Sequence, residues 1–380
     1  MFQRDCAPFL RCDPVIDVGS VRQALDSLLY STRTHSTTSL ENLWLVDQAL
    51  LDPDHPPMGQ GRAYELAVVL TDLIAHQLAR HRRASGLPLP PDSPSRAEAF
   101  VQIALDGQTA NIELMSWSWL YYRYVRVELG ITLAEYEAAA AIEPRTRRRY
   151  REHALRRLTQ QLIARERAAR RALRKQRLLA RLPCAPPTRL FGRQRELATL
   201  TQALSQPTAR IVQVNGAAGL GKTSLVREAV RTQIEADQLT QLAWVRSPDS
   251  AADCLAQVRQ SITAFEPGDQ PPVFPAQGGL IVVDDLSALS DSLVELEHFV
   301  AHVAPLHVCL IHPTPLLLND LNVSLPLRPL SLADAEALIQ WQMFLRPELG
   351  LTAERIAAAI QSGQGNPAAI LRNLQTELDE

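Results

Sequence analysis

The chain has 380 residues, a formal net charge of -2, and a composition that is 46 % hydrophobic and 21 % charged. This balance supports buried cores spread over two or three domains of roughly 100–200 residues each. It excludes a disordered tail, a coiled rod and a polycation that binds nucleic acid by bulk charge.

The five cysteines, Cys6, Cys12, Cys184, Cys254 and Cys309, are odd in number and show no CxxC spacing. That argues against a disulfide framework or a zinc site and for a reducing compartment. The opening "MFQRDCAPFLRCDP" carries charges where a signal peptide needs an apolar stretch. No run approaches the ~20 apolar residues of a membrane span. The expectation is a cytoplasmic protein with no membrane partner.

Residues 15–86 read as helices: "VRQALDSLLY", "LENLWLVDQALL" and "RAYELAVVLTDLIAHQLARHRRA" repeat apolar residues every three or four positions. Residues 1–90 form a helical N-terminal domain with no catalytic pair or metal spacing. His76 and His81 lie off a shared helix face, and Trp44, Trp117 and Trp119 read as core. The proline-rich "GLPLPPDSPS" (86–95) breaks the pattern.

A second helical domain, 97–182, turns strongly basic and ends in a long helix with Leu155, Leu158, Leu162 and Ala169 on one stripe. That helix could serve as a stalk or an oligomer seam, although Arg165 and Gln176 interrupt a coiled-coil pattern. Within the domain, Gly130 ends one helix, "TLAEYEAAAAI" forms a second, and "EPR" turns the chain. Thr146 is expected to N-cap a third helix that opens with Arg147, Arg148 and Arg149. The pattern resembles the helix-turn-helix of sigma-factor region 4 and of LuxR-type regulators. The resemblance implies Thr146, Arg147, Arg148, Arg149 and Arg151 as candidate DNA contacts. The competing reading is a plain packing unit with solvated arginines.

"PCAPPT" (183–188) is a second linker, after which the character changes. "ARIVQV" (209–214), "QLAWV" (241–245), "GLIVVDD" (279–285) and "LHVCLIH" (306–312) read as buried strands. They alternate with helical patterns such as "KTSLVREAVRTQIEA" and "DSLVELEHFVAHV". The alternation predicts an α/β domain with a parallel sheet sandwiched by helices, behind an all-α N-terminal half, and the glycine-rich Gly216–Thr223 segment between a strand and a helix makes the expected fold class that of a P-loop NTPase. Beyond residue 330 only helical patterns remain.

Gly216-Ala217-Ala218-Gly219-Leu220-Gly221-Lys222-Thr223 matches G-x-x-x-x-G-K-[ST], between a strand and a helix. Its backbone N–H groups can curl round a phosphate, and the helix dipole adds attraction for the anion. Lys222 reaches the outer phosphates, Thr223 ligates Mg²⁺, and Ser224 follows in the same turn. Asp284 and Asp285 end the apolar strand 279–285, at the edge where parallel sheets bind ligands. Asp284 is the candidate Mg²⁺ ligand, and Asp285 the residue that polarises the attacking water, with Lys222 as its catalytic companion.

Residues 190–380 resemble the nucleotide-binding core of STAND-type signalling ATPases, the AAA+-related group with the NB-ARC and NACHT proteins. "LFGRQREL" (190–197) is similar to the motif that covers the base, which assigns Gly192 and Arg193 to nucleotide binding. "IVVDDL" matches the metal strand. "LPLRPLSLADAEALI" (325–339) is similar to the strand and first helix of the lid, and "GNP" (365–367) to the Gly-x-Pro that closes on the base, through Pro367. The resemblance implies ATP/ADP and Mg²⁺ as cofactors, a core at 189–322, a lid at 323–380 and a nucleotide-exchange switch. Two departures stand out. "CLIHPTP" has His312 and Thr314, but no arginine, where the family often places Thr-x-Arg, so hydrolysis is expected to be slow or completed by a neighbouring subunit; His312 reads as a strand-end polar residue. The chain also stops shortly after "GNP", so a sensor is expected on another polypeptide or to be missing.

Three functions follow. The chain is a bacterial signalling or defence switch that forms homo-oligomers or recruits a separate effector or sensor. Alternatively it is an ATP-controlled DNA-binding protein, a transcription regulator or a transposition-type AAA+ loader. The third reading is a nucleotide-binding scaffold without hydrolysis.

Overall fold

The computed structural model describes residues 15–29, 38–51, 61–183, 189–206, 211–263, 279–285, 306–317, 321–346 and 352–376. The chain divides into two compact units between Leu173 and Arg174.

The first unit is helical: α1 (Val18–Leu29), α2 (Trp44–Leu50), α3 (Gly61–Ala84), α4 (Arg96–Gln108), α5 (Ile112–Leu120), α6 (Leu133–Ala139) and the start of α7 (Pro144–Ala180). Local chemistry sets several boundaries. Ser95 and Thr132 each cap a helix, and Glu98 and Glu135 three residues on close the capping boxes. One continuous core runs from Val21 to Leu162 and includes Leu70, Ile103, Trp117 and Leu158. Trp117 and Trp119 are buried as expected. Trp44 is half-buried and opens α2. The buried Glu166 carboxylate on α7 accepts the backbone N–H of Trp44 (3.2 Å) and Leu45 (3.0 Å), capping α2 from across the core.

Arg82 and Asp106 are both fully buried and paired at 3.3 Å. Ser118 Oγ donates to Asp106 at 2.7 Å. Burial pushes the Asp106 carboxyl up to about 6, against the opposing pull of Ser118 and Arg82.

Two local expectations fail. The helix expected to run to Gly130 widens into a π turn, Tyr121–Val125, closed by Arg126 N–H donating to the Tyr121 carbonyl (3.0 Å). Tyr121, Tyr122 and Tyr124 are all buried there. Gly130 does end the segment, at φ +59°. Thr146 is not an N-cap, because α7 begins two residues earlier at Pro144. Proline suits the first helical position: its fixed φ is already helical, and the N–H it lacks would have had no helical acceptor. Arg147 N–H accordingly donates to the Glu143 carbonyl (3.0 Å).

The second unit is built on five parallel strands: β1 (Ile211–Asn215), β2 (Gln241–Arg246), β3 (Gly279–Asp284), β4 (His307–His312) and β5 (Leu321–Pro326). They lie side by side in the order β2-β3-β4-β1-β5. Alternate residues of β1 to β4 face opposite cores. Val212, Val214, Leu280, Val282 and Ile311 join one core, which also holds α8 (Gln194–Ser205) and α9 (Lys222–Glu235). Ile211, Ile281, Val283, Val308 and Leu310 join the other, with Cys254 and Val258 of α10 (Ala251–Thr263). Both faces are therefore covered, which is why the strands read as continuous apolar runs. The buried Gln213 on β1 is satisfied by Leu316 and Ser324. The end of α7 belongs to this unit: Leu178 enters its core, and the Arg181 guanidinium donates to the Leu242 carbonyl (3.0 Å).

Helices α11 (Leu332–Leu345), α12 (Ala353–Gly363) and α13 (Pro367–Thr376) share a small core of Ala335, Ile339, Ala359, Ile370 and Leu374. Ser331 and Thr352 cap the first two. The helix expected at 291–303 lies outside the described residues. Cys254 and Cys309 are free and buried. Among the described residues, no helix is long and apolar enough to cross a membrane.

Candidate functional site

The C-terminal ends of β1, β3 and β4 open into a cavity of about 500 Å³ within the second unit. Its polar end is the loop between β1 and α9. Gly216, Gly219 and Gly221 hold φ of +144°, +83° and +86°, so the loop curls in a way that side-chained residues resist. Gly216 also has no room for a side chain: a Cβ there would stand 2.8 Å from the Leu327 carbonyl. Residues 218–224 line the cavity, and α9 begins at Lys222, so its first N–H groups point toward the polar end.

Lys222 Nζ donates to the carbonyls of Gly216 (2.7 Å) and Ala217 (3.0 Å). Partial burial holds its pKa below the usual lysine value, against the attraction of Asp284 and Asp285. Thr223 Oγ1 donates to Asp284 Oδ1 at 3.0 Å, which joins the first turn of α9 to the end of β3. Burial raises the Asp284 carboxyl, while Thr223 and Arg246 oppose that shift. A hydroxyl and a carboxylate side by side are the hard oxygen donors that suit Mg²⁺, which takes few protein ligands and completes its shell with phosphate and water.

Asp285 lines the cavity in a left-handed conformation, φ +67°. Ser247, which follows β2, is left-handed too, at φ +40°. Ser247 N–H donates to the Asp284 carbonyl (2.8 Å), and its hydroxyl to Asp285 Oδ2 (3.3 Å).

The other end of the cavity is apolar. Leu190, Phe191, Leu338 and Leu371 line it, together with Arg189, while Pro367 and Ala368 line the wall beside the loop. The Arg189 guanidinium lies over the rings of Phe191 (5.8 Å) and Trp341 (5.6 Å). The volume and the division into a polar and an apolar end suit a ligand with a flat ring system and a phosphate tail.

The residues expected to cover the base sit differently from one another. Arg193 is buried, and it donates to the carbonyls of Arg328 (2.6 Å) and Leu220 (3.4 Å) and to Glu196 (3.3 Å). It ties the segment before α8 to the phosphate loop and to the chain after β5. Gly192 does not line the cavity. Its φ of +62° lets the chain pass against Asp334, where a Cβ would come within 2.4 Å.

Two residues at or beside the cavity were given no role in it from the sequence. His312 is buried at the end of β4, with Nδ1 against Thr314. Asn366, inside the "GNP" segment, donates from Nδ2 to the Ala218 carbonyl (2.8 Å). The strand-end position of His312 was a usable cue; the reach of Asn366 to a backbone atom 148 positions away was not.

The basic candidates on α7 also divide. Arg147 pairs with Glu137 on α6 and is largely buried. Arg148 and Arg149 are exposed, Thr146 and Arg151 half-buried.

Residues 189–271 match the family model described as an AAA ATPase domain. No curated protein matches the chain. Among solved structures, domain III of the replication initiation protein DnaA from Thermotoga maritima is similar at 12 % identity. That match covers 53 % of this chain and 86 % of that one, with a TM-score of 0.35. A chain in the structure of Drosophila ORC bound to DNA is similar at 18 % identity and a TM-score of 0.36, covering 53 % of this chain and 57 % of that one. The parallel sheet wrapped by helices, together with the family match, gives the second unit the fold class of an α/β P-loop NTPase, preceded by an all-α half.

Proposed function

We propose that the chain binds ATP or ADP with Mg²⁺ in this cavity and uses the nucleotide as a STAND-like switch over oligomerisation or partner recruitment, with slow hydrolysis. The observation that carries the reading is the 3.0 Å contact between Thr223 and Asp284 beside Lys222, in a cavity with an apolar far end. In this reading residues 189–322 are the nucleotide core and 323–380 the lid. The loop amides from Gly216 to Ser224 cradle the phosphates. Lys222 leaves its own loop carbonyls to neutralise them. Thr223 and Asp284 would hold Mg²⁺, which supplies charge neutralisation when bound, and Asp285 orients the attacking water. Phe191, Leu338 and Pro367 enclose the base, and Arg193 keeps that wall in place.

Calorimetry of the full chain with ADP and ATP tests the site. Lys222→Ala removes charge-assisted bonds worth about 1.5–3 kcal/mol each, so nucleotide affinity should fall about 100-fold. Unchanged affinity in that variant overturns the assignment.

A second reading, ATP-controlled DNA binding, is favoured by the exposure of Arg148 and Arg149 at the start of α7. The salt dependence of duplex binding tests it.

A further inference from the structure

Two hydrogen bonds run directly from the helical lid to the phosphate loop. Asn366 Nδ2 donates to the Ala218 carbonyl at 2.8 Å, and Ala368 N–H donates to the Gly219 carbonyl at 3.3 Å. Asn366 faces a second task at the same time. Its Oδ1 accepts the N–H groups of Ala368 (3.1 Å) and Ala369 (3.2 Å), which caps α13. These partners settle how the amide is turned, because a flipped group would set NH₂ against two N–H donors and oxygen against a carbonyl. The approach is close enough that Gly219 has no room for a side chain: a Cβ there would stand 2.5 Å from Asn366 Oδ1 and 3.0 Å from the Ala368 methyl. Behind Asn366 the loop is fixed by Leu330 N–H donating to the Gly365 carbonyl (2.7 Å), with Gly365 at φ +73°.

We propose that Asn366 is a positioning residue that fastens the lid to the phosphate loop through the Ala218 carbonyl, so that nucleotide leaves only when this contact breaks. The loop atoms that accept from the lid are carbonyls, whereas a bound phosphate would take the loop N–H groups. The two sets belong to the same peptides, so the lid steadies the curvature that points the N–H groups inward. Lid and phosphate are thereby joined through backbone, independently of any contact between lid and base. This rests on the nucleotide reading given above for its effect on release, but the contact itself does not.

The test separates the two jobs of Asn366. Asn366→Ser keeps a capping oxygen on α13 but is too short to reach Ala218; Asn366→Ala loses both. Dissociation of a fluorescent ADP is followed in the full chain after mixing with excess unlabelled ADP. Hydrogen exchange in residues 216–221 and 365–369 is followed without nucleotide. The expected result for Asn366→Ser is release about 3- to 10-fold faster, the effect of one lost hydrogen bond, with faster exchange in both segments and an unchanged Tm. Asn366→Ala should release equally fast but melt at a lower temperature. Wild-type release and exchange in Asn366→Ser would overturn the proposal. If the wild-type chain binds no ADP, the nucleotide reading falls, and the exchange comparison alone still decides whether the latch exists.

Discussion

Asp285 holds φ of +67° and Ser247 φ of +40°, at the ends of two neighbouring strands. Residues other than glycine enter this region at a cost of order 1 kcal/mol or more, and such strain collects where a side chain must be aimed. Here the aim is set by the Ser247 hydroxyl on Asp285 Oδ2. If Asp285 orients the attacking water, Asp285→Asn should leave ATP affinity within about 3-fold, because asparagine also tolerates the left-handed backbone. The same change should slow phosphate release in a single turnover about 100-fold or more. Ser247→Ala should slow it about 3- to 10-fold at unchanged KM, since it removes one hydrogen bond that acts through Asp285. Full release in Asp285→Asn would remove that residue from the chemistry.

At the scale of elements, what was legible in the sequence is what repeats or what is local. The strands announce themselves because burial on both faces demands unbroken apolar runs. The phosphate loop does so because glycine, lysine and threonine each have one task at one offset. Contacts to backbone carbonyls leave no such trace. Arg193 reads as part of a base-covering motif, yet its guanidinium donates to the carbonyls of Leu220 and Arg328, 27 and 135 positions away. Asn366 is silent for the same reason. The start of α7 shows two local rules in competition: Thr146 suits a cap, but Pro144 suits the first helical position and prevails. That shift puts Arg147 against Glu137 and leaves Arg148 and Arg149 in solvent. If DNA is bound here, neutralising Arg148 or Arg149 should each lower the slope of log affinity against log salt by about 1. Arg147→Ala should instead act through stability. A slope unchanged by both exposed arginines would exclude DNA backbone contact at this turn.

For the whole molecule the question is what distinguishes the diphosphate from the triphosphate form. A ligand shifts a conformational equilibrium only by its difference in affinity for the two states. In the nucleotide reading, both forms share the base wall and the loop cradle, so the difference has to come from the outer phosphate. That phosphate would add charge beside Lys222, Asp284 and Asp285, away from the base wall of Phe191 and Leu338. Asn366 and Ala368, meanwhile, donate hydrogen bonds to the loop at Ala218 and Gly219. A switch built this way should be read in the native mass of the full chain by light scattering. With ADP, the expected mass is that of one 42.1 kDa chain. With a non-hydrolysable ATP analogue and Mg²⁺, it should rise to a multiple of that value. Lys222→Ala should stay at the single-chain mass in both. A mass that ignores the triphosphate would mean that the nucleotide does not drive self-assembly, and control would have to act on another polypeptide or on DNA. Assembly in Lys222→Ala equal to that of the unaltered chain would separate oligomerisation from the nucleotide altogether.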